Sequence, residues 1–212
     1  MSQIQYSSSL LDNKSYIVGC DEVGYGALSG PLVVVGVRAP KDWALSGLND
    51  SKKLSPKKRE EMSVKLEKLI VDGDIAWAMA ERSNVIIDKF GVATTLKDAY
   101  IEVFHQLYQS DALIISDGIL KFDNLGVDAY DKVSVIKADS KIPAVMAASI
   151  LAKVYRDGKM KILHNLHPMY NWKSNVGYGT SDHLKALTKH GPCDLHRHSY
   201  APVKKSLGLP IL

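Results

Sequence analysis

Apolar residues cluster along this chain in short runs that are rich in β-branched side chains, a pattern that predicts strands. Five such runs follow one another, at residues 15–23, 30–40, 75–81, 111–118 and 131–140. The glycines between the first two runs predict a tight connection between their strands.

Other segments repeat their apolar residues at helical spacing. Residues 54–70 carry a helix start in Ser55 followed by Pro56, which favours an N-cap with proline in the first turn. Residues 83–107 predict a further helical stretch, in which Gly91 is a candidate break. Residues 142–163 predict a long helix, and its Ala144, Ala148 and Ala152 fall at four-residue steps that allow close packing on a sheet. Because strands and helices alternate in this order, the pattern predicts an α/β fold.

The length of the chain limits its domain organisation. A chain of 212 residues suits one large α/β domain, or such a domain with an appendage. The C-terminal part is richer in His, Gly and Pro than the part before it. We therefore expect a main domain over residues 1–164 and a small helical extension over residues 165–212, packed together as a single structural unit.

Charge and cysteine content limit the possible partners and the cellular compartment. Lysine and arginine total 27 against 23 acidic residues, a net charge of +4 that permits a polyanionic partner without requiring one. Cys20 and Cys193 lie far apart and lack metal-ligand spacing, so we expect free thiols in a reducing compartment. No run approaches the roughly 20 apolar residues of a membrane helix. We expect a cytoplasmic monomer that binds no membrane.

Three of the apolar runs stop on an aspartate, at Asp21, Asp117 and Asp139. Ligands of open α/β sheets bind outside the carboxyl ends of the strands, so these side chains could converge. A single aspartate at such a position is more often a local cap or turn residue. Three together, with Glu22 next to Asp21, favour a functional site.

A cluster of carboxylates raises its own pKa values and destabilises the fold unless cations neutralise it. No histidine or cysteine lies at ligand spacing nearby, so the all-oxygen set predicts Mg²⁺ or Mn²⁺ rather than zinc. Two such ions can activate a water and stabilise the leaving oxygen of a phosphate displacement. Asp21 and Glu22 can share that site only if their strand ends or bends there, and the glycines that follow allow such a bend.

Several motifs carry a resemblance that covers nearly the whole chain, from about Tyr16 to Val203. They are DEVGYGALSGPLVV, DSKKLSPKKRE, ISDG, KADSKIPAVMAASILAKVYRD and NVGYGTSDHLKALTKHGPCDLHRHSYAPV. Their order and spacing resemble the type 2 ribonucleases H, specifically bacterial ribonuclease HII. The resemblance implies an RNase H-like fold, with a mixed sheet flanked by helices and a helical C-terminal part, and hydrolysis of the RNA strand of RNA–DNA duplexes.

The resemblance also implies two sets of site residues. The family's catalytic and metal-binding quartet falls on Asp21, Glu22, Asp117 and Asp139. The residues that recognise a ribonucleotide at an RNA–DNA junction fall on Gly24, Tyr25, Gly26 and Tyr178. Glycine lets main-chain groups approach a 2′-hydroxyl, the group that distinguishes RNA from DNA.

Two positions depart from the family's pattern. Tyr25 stands where the family usually has arginine, and Val176 stands where it commonly has lysine. Each departure removes a cation expected near the substrate. We expect them to affect substrate preference and affinity rather than the class of reaction.

Basic residues cluster around the predicted start of the helix at Ser55. They are Lys52, Lys53, Lys57, Lys58 and Arg59. The helix dipole disfavours cations at this end by roughly 0.3–1 kcal/mol each, which favours phosphate contacts over a merely solvated face. Lys52 also matches the family's substrate-side lysine.

Other polar residues allow two interpretations. Lys153 and Arg156 lie three residues apart on the long predicted helix and are candidates for phosphate contact, although Lys153 can instead pair with Asp157. The histidines of the C-terminal part lack zinc spacing, and we interpret them as structural. They are His183, His196 and His198.

The leading hypothesis is an endoribonuclease that leaves a 5′-phosphate and a 3′-hydroxyl. It would cut RNA in RNA–DNA hybrids, or on the 5′ side of ribonucleotides embedded in duplex DNA, by a two-metal mechanism. One alternative is a ribonuclease HIII-like specificity with weak junction cleavage, although that type carries an extra N-terminal domain for which we see no counterpart. The other is a non-catalytic hybrid-binding protein, whose signature would be loss of an acidic residue; all four are present.

The C-terminal segment KKSLGLPIL suggests a protein partner. It loosely resembles the leucine-rich peptides by which bacterial proteins dock on the sliding clamp, with Leu207, Leu209 and Pro210 as the similar positions. A tail packed on its own domain is the simpler interpretation.

Overall fold

The structure is a computed structural model that describes residues 10–118 and 130–210. Within them the strands are β1 (Tyr16–Val23), β2 (Leu32–Pro40), β3 (Ala76–Arg82), β4 (Ala112–Asp117) and β5 (Lys132–Val135). The α-helices are α1 (Pro56–Asp72), α2 (Asn84–Phe90), α3 (Val92–Leu107), α4 (Pro143–Leu166), α5 (Trp172–Asn175), α6 (Ser181–His190) and α7 (Ala201–Ser206). Two short 3₁₀ helices span Ala138–Ser140 and Pro168–Tyr170.

The strands form one mixed sheet in the order β3-β2-β1-β4-β5, flanked by helices. β4 pairs in parallel with β1 on one side and with β5 on the other. All five predicted strands are present, so the predicted α/β class, with a mixed sheet flanked by helices, is confirmed.

The helix boundaries follow local chemistry. Ser55 caps α1 by accepting a hydrogen bond from the amide of Lys58, and Pro56 occupies the first helical position. The stretch predicted over residues 83–107 is interrupted at Gly91, which separates α2 from α3.

The chain divides into two compact units. Among the described residues, the first unit takes those up to Asp21 together with those in Val34–Ala80 and Tyr100–Ala152. The second takes Glu22–Val33, Glu81–Ala99 and the described residues from Lys153 onward. This division differs from the predicted boundary between residues 164 and 165, because the C-terminal residues share their unit with two earlier segments.

In the first unit, α4 begins directly against β1. A Cβ placed on Gly19 would lie 2.3 Å from the backbone of Ala144 and Val145, so only glycine allows this approach. The alanines that follow at four-residue steps, Ala144, Ala148 and Ala152, are all buried, as their spacing predicted.

Cys20 lies in the same interior. Its side chain is fully buried, and a Cβ on Gly36 of the neighbouring β2 would come within 3.1 Å of the sulfur. Burial raises the pKa of the Cys20 thiol well above its ordinary value. Cys20 and Cys193 are both free, which confirms the prediction of two unpaired thiols.

The second unit has its own apolar core. It is built from Leu28, Met160, Tyr170, Trp172, Ala186, Leu187 and Val203. None of the helices in the described ranges is both long enough and apolar enough to cross a membrane.

Candidate active site

Two of the predicted acidic residues lie on neighbouring strands towards the same edge of the sheet, Asp21 within β1 and Asp117 at the end of β4. β1 and β4 run parallel with Cys20 opposite Ser116, and the next residue on each strand is an aspartate. These residues, Asp21 and Asp117, are both half-buried. The carboxyl ends of adjacent parallel strands are where α/β sheets bind ligands.

Asp117 organises the segment that carries the third carboxylate. Its Oδ1 accepts hydrogen bonds from the amides of Ala138, at 2.6 Å, and Asp139, at 3.5 Å. The side chain therefore caps the 3₁₀ turn Ala138–Ser140, much as an aspartate caps the start of a helix. This contact fixes the backbone of Asp139 next to the end of β4.

Asp139 is buried and paired with a cation. Its Oδ2 accepts a hydrogen bond from Lys52 Nζ at 2.7 Å, and the Lys52 side chain is 75% exposed while that of Asp139 is 5% exposed. This bond raises the pKa of Lys52, and the charges of Asp21 and Asp50 raise it further. The Lys52 ammonium thus lies in the combined field of several carboxylates.

The carboxylates of the first unit suit a hard divalent cation, because every donor atom they offer is oxygen. Across residues 10–118 and 130–210, no three His, Cys, Asp or Glu side chains are gathered closely enough to hold a metal ion. Protein donors hold the carboxylates instead, with amides on Asp117 and the Lys52 ammonium on Asp139. A metal ion at Asp139 would compete with Lys52 for this carboxylate, and three of the carboxylates would have to draw closer together to bind it jointly.

Glu22, the fourth predicted acidic residue, directly follows Asp21 on β1. It is half-buried and belongs to the second unit. Its role as a metal ligand stays a prediction.

In the second unit, Gly24 and Tyr178 are joined by a hydrogen bond. The Gly24 amide donates to the Tyr178 hydroxyl at 3.2 Å. Gly24 has φ +89°, and a Cβ there would lie 2.3 Å from Arg156 Nε and 2.7 Å from the carbonyl oxygen of Pro31. Both the backbone conformation and the lack of space therefore require glycine at position 24.

Arg156 corrects one prediction. It is fully buried, and it donates to the carbonyls of Pro31, Val176 and Ser29 at 2.8–3.2 Å. Burial lowers its pKa to about 10, which leaves it charged at neutral pH. Its guanidinium also lies over the Tyr178 ring, 5.5 Å from the centroid. Arg156 is therefore committed to the protein interior rather than available to a phosphate.

Lys153 follows the second of its two interpretations. Its Nζ lies 2.8 Å from Asp157 Oδ1, an i,i+4 pair on α4, and both side chains are half-buried. Any role for Lys153 at a phosphate stays a prediction.

Tyr25 and Gly26 have different relations to the protein. The Tyr25 side chain is 43% exposed, while its carbonyl oxygen accepts from Arg197 Nη1 at 2.8 Å and from the Tyr200 hydroxyl at 2.6 Å. Gly26 is exposed, and a Cβ there would have no heavy atom within 4 Å. Packing among the described residues therefore gives no reason for glycine at position 26.

The basic cluster at the start of α1 divides in two. Arg59 donates to the carbonyls of Ser51 and Leu54, which ties the Lys52 segment to the helix. The other members of the cluster are lysines, and all of them are exposed: Lys52, Lys53, Lys57 and Lys58. Arg59 thus supports the segment, and the lysines are the members that solvent reaches.

Sequence reasoning interpreted His183 and His196 as structural but did not predict the buried polar network that they form. His183 Nε2 lies 3.0 Å from His196 Nε2, and the Trp172 indole donates to His183 at 3.2 Å. Burial, together with the charge of His183, lowers the pKa of His196 to about 4. Arg197 is also fully buried. No pattern in the segment HRHSYAPV indicates that Arg197 is buried, because arginine is seldom fully buried.

Comparison with known proteins gives a consistent assignment. The family model for ribonuclease HII matches residues 18–203. Ribonuclease HII of Lactobacillus johnsonii is 36% identical over 214 residues, covering 96% of this chain and 78% of the relative. Ribonuclease HII of Oceanobacillus iheyensis is 42% identical over 192 residues, covering 90% of this chain and 70% of the relative.

Solved structures agree with the fold. The structure of the PCNA:RNase HII complex from Archaeoglobus fulgidus has a TM-score of 0.69 at 26% identity, covering 90% of this chain and 96% of that chain. Ribonuclease H2 from Pyrococcus horikoshii has a TM-score of 0.71 and shows the shared fold alone, since its identity is 20%.

These sequence relatives are ribonucleases HII, so the ribonuclease HIII alternative is not favoured. The match spans both the segments that carry the carboxylates and the segments that carry Gly24 and Tyr178. The protein is a ribonuclease H-type nuclease, and the chain belongs to the ribonuclease HII family.

Proposed function

We propose that this chain is a divalent-metal-dependent endoribonuclease that cuts RNA in RNA–DNA hybrids, or on the 5′ side of ribonucleotides embedded in duplex DNA. The observation that carries the proposal is the pairing of Lys52 with the buried Asp139, in the field of Asp21. A buried carboxylate at this sheet edge requires a cation, and an exposed lysine is a partner that can leave.

Asp21, Asp117 and Asp139 would hold the cation, Mg²⁺ or Mn²⁺, and Glu22 joins them on the strength of the resemblance. Such ions activate a water and stabilise the leaving oxygen of an in-line displacement, which gives a 5′-phosphate and a 3′-hydroxyl. Asp117 keeps Asp139 in place through its bonds to the 138 and 139 amides. Lys52, once released from Asp139, is long enough to contact a backbone phosphate.

Residues 24–31, called the Gly24 turn, and Tyr178 would recognise the ribonucleotide. The Gly24 bond fixes the Tyr178 hydroxyl, and Arg156 supports the ring. Open space at Gly26 leaves room for a sugar to reach the backbone of the turn. Tyr25 offers a hydroxyl and an exposed ring face where the family usually has arginine, and it belongs to the same ribonucleotide-recognition set.

One assay tests the proposal. The protein is incubated with a uniform RNA–DNA hybrid, with duplex DNA that holds one ribonucleotide, and with all-DNA duplex, each in Mg²⁺, Mn²⁺ or EDTA. We expect cleavage of the first two substrates with either metal, 5′-phosphate ends, and no product in EDTA. Cleavage in EDTA, or cleavage of the all-DNA duplex, would refute it.

A sliding clamp is the proposed protein partner. The Archaeoglobus relative was solved as a complex with PCNA. In this chain Leu207 and Leu209 are 42% and 50% exposed just after α7, while residues 211 and 212 lie outside the described residues. Deleting residues 206–212 should lower binding to a bacterial sliding clamp without changing cleavage of short duplexes. Absence of clamp binding by the intact protein would remove the idea.

A further inference from the structure

The carbonyl of Tyr25 accepts two side-chain hydrogen bonds. Arg197 Nη1 donates to it at 2.8 Å, the Tyr200 hydroxyl donates to it at 2.6 Å, and Arg197 Nη1 also donates to the Tyr200 hydroxyl at 2.9 Å. These contacts close a triangle of hydrogen bonds. They are called the carbonyl clamp below, and its members are Arg197, Tyr200 and the Tyr25 carbonyl.

Backbone hydrogen bonds fix the alignment of the two segments that carry the clamp. The Arg197 amide donates to the carbonyl of Leu28, and the Gly30 amide donates to the carbonyl of Leu195. The Arg197 guanidinium donates twice more to the Gly30 carbonyl, at 3.1 and 3.2 Å. Asp88 holds the amides of His198 and Ser199, which lead to Tyr200. Segments 195–200 and 25–30 are therefore joined both by backbone and by side chains.

Burial of the Arg197 guanidinium has a desolvation cost in free energy. Arg197 is fully buried, its bonded partners among the described residues are carbonyls and a phenol, and burial lowers its pKa. A buried guanidinium without a carboxylate is unfavourable unless its donors are satisfied. Among the described residues, every hydrogen bond of the guanidinium goes to the Tyr25 carbonyl, the Gly30 carbonyl or the Tyr200 hydroxyl.

Fixing the Tyr25 carbonyl also fixes the amide of Gly26. The two groups belong to one planar trans peptide, so the N–H points away from the side to which the carbonyl points. The carbonyl faces the clamp, and the Gly26 amide therefore faces the opposite side. None of the described residues accepts a hydrogen bond from that amide, and Gly26 is exposed with open space at its Cβ.

We propose that Arg197 and Tyr200 are positioning residues for ribonucleotide recognition, which present the Gly26 amide to the 2′-hydroxyl of the substrate by holding the Tyr25 carbonyl. The inference rests on the proposed function and deepens it. A donor held in place pays no ordering cost when the sugar arrives, so it favours a ribose over a deoxyribose more strongly than a mobile one.

Tyr200→Phe is the test, because it removes one hydroxyl and keeps the ring. Tyr170→Phe is the matched control, since the Tyr170 hydroxyl donates to a backbone carbonyl, that of Gly191, outside the turn. We expect Tyr200→Phe to lower kcat/KM for duplex DNA with one ribonucleotide by roughly twofold to tenfold relative to the uniform hybrid. Tyr170→Phe should leave that ratio unchanged.

A binding measurement separates this inference from the proposed function. In an Asp117→Asn background, the ratio of Kd values for all-DNA duplex and for duplex with one ribonucleotide should shrink when Tyr200→Phe is added. Arg197→Lys, which keeps the charge but loses the planar fork, should act in the same direction. An unchanged ratio in active Tyr200→Phe, or an equal change in Tyr170→Phe, overturns the positioning role. A wild-type protein without ribonuclease activity overturns the proposed function instead.

Discussion

Lys52 and Asp139 are 87 residues apart in sequence, yet Lys52 Nζ lies 2.7 Å from Asp139 Oδ2. The lysine is largely exposed and the aspartate is buried, so the two partners are not equivalent. The carboxylate needs a positive charge wherever the lysine goes, because a buried anion without a partner is costly. The same acceptor can therefore serve an ammonium in one state and a metal ion in another.

Replacing Lys52 by methionine should make stability depend on metal. In EDTA we expect a free energy of unfolding lower by about 1–3 kcal/mol, since the buried Asp139 carboxylate loses its partner while solvent screens the exposed ammonium. Saturating Mg²⁺ or Mn²⁺ should restore more stability in Lys52→Met than in the wild type. Urea unfolding with and without metal measures this, with Lys53→Met as the control because Lys53 is an exposed neighbour. Equal metal responses in both variants would contradict the prediction.

Asp117 should tolerate asparagine structurally but not catalytically. The Asn side-chain oxygen can still accept from the amides of Ala138 and Asp139, so the fold should persist, while the lost charge should abolish cleavage. In EDTA the melting temperature of Asp117→Asn should equal or exceed that of the wild type. Asp117→Ala, which loses the cap as well, should be less stable than Asp117→Asn by about 1 kcal/mol. Near-wild-type activity of Asp117→Asn in saturating Mg²⁺ would show that the residue is not a ligand.

Tyr25 should limit discrimination at an isolated ribonucleotide. Its side chain is exposed and its carbonyl makes the clamp contacts, so Tyr25→Arg should leave the turn intact. Arginine can bond a phosphate through a charge-assisted fork, and a hydrogen bond to a charged group contributes about 1.5–3 kcal/mol. Single-ribonucleotide cleavage should rise relative to hybrid cleavage by roughly tenfold or more, and the gain should shrink as salt rises. A ratio that stays constant or falls would show that Tyr25 is an equivalent reader or points away from the substrate.

His196 should make the protein sensitive to acid. Its pKa is about 4 in the folded state against an ordinary value of 6.5. Between these two pH values the unfolded chain binds a proton at this histidine and the folded protein does not, so acid favours unfolding. The stability it contributes is complete above pH 6.5 and is lost as the pH falls towards 4, by about 3 kcal/mol in all. The free energy of unfolding of His196→Gln should fall less over this range. His190→Gln, at an exposed histidine, should behave like the wild type.

Sequence patterns predicted what depends on local order and periodicity. The five strands, the break at Gly91 and the cap at Ser55 are all local features, and all are present. The strand-end rule placed Asp21 and Asp117 on one sheet edge, because parallel strands share their carboxyl ends. The role of Asp139 needed more, since its position depends on the long-range cap that Asp117 provides.

Arg156 and Arg197 show why other features of the site could not be predicted from the sequence. Arginine is seldom fully buried, so a sequence gives no reason to expect one inside without a carboxylate. Both are buried here because backbone carbonyls of residues 25–31 converge on them, and that convergence is created by the turn itself. The same reason explains why the phosphate role predicted for Arg156 was wrong.

Cys20 gives the protein an internal reporter of how often its sheet opens. The Cys20 sulfur is packed against Gly36 of β2, which shields it from reagents. Its raised pKa also keeps the fraction of reactive thiolate low. Modification under native conditions therefore has to wait for β1 to separate from its surroundings, so the alkylation rate of Cys20 in a Cys193→Ser background measures the free energy of that excursion. The half-buried Cys193 should react far sooner in the wild type. A substrate that clamps the sheet edge at Asp21, the very next residue, should then slow the chemistry of a sulfur that it never touches.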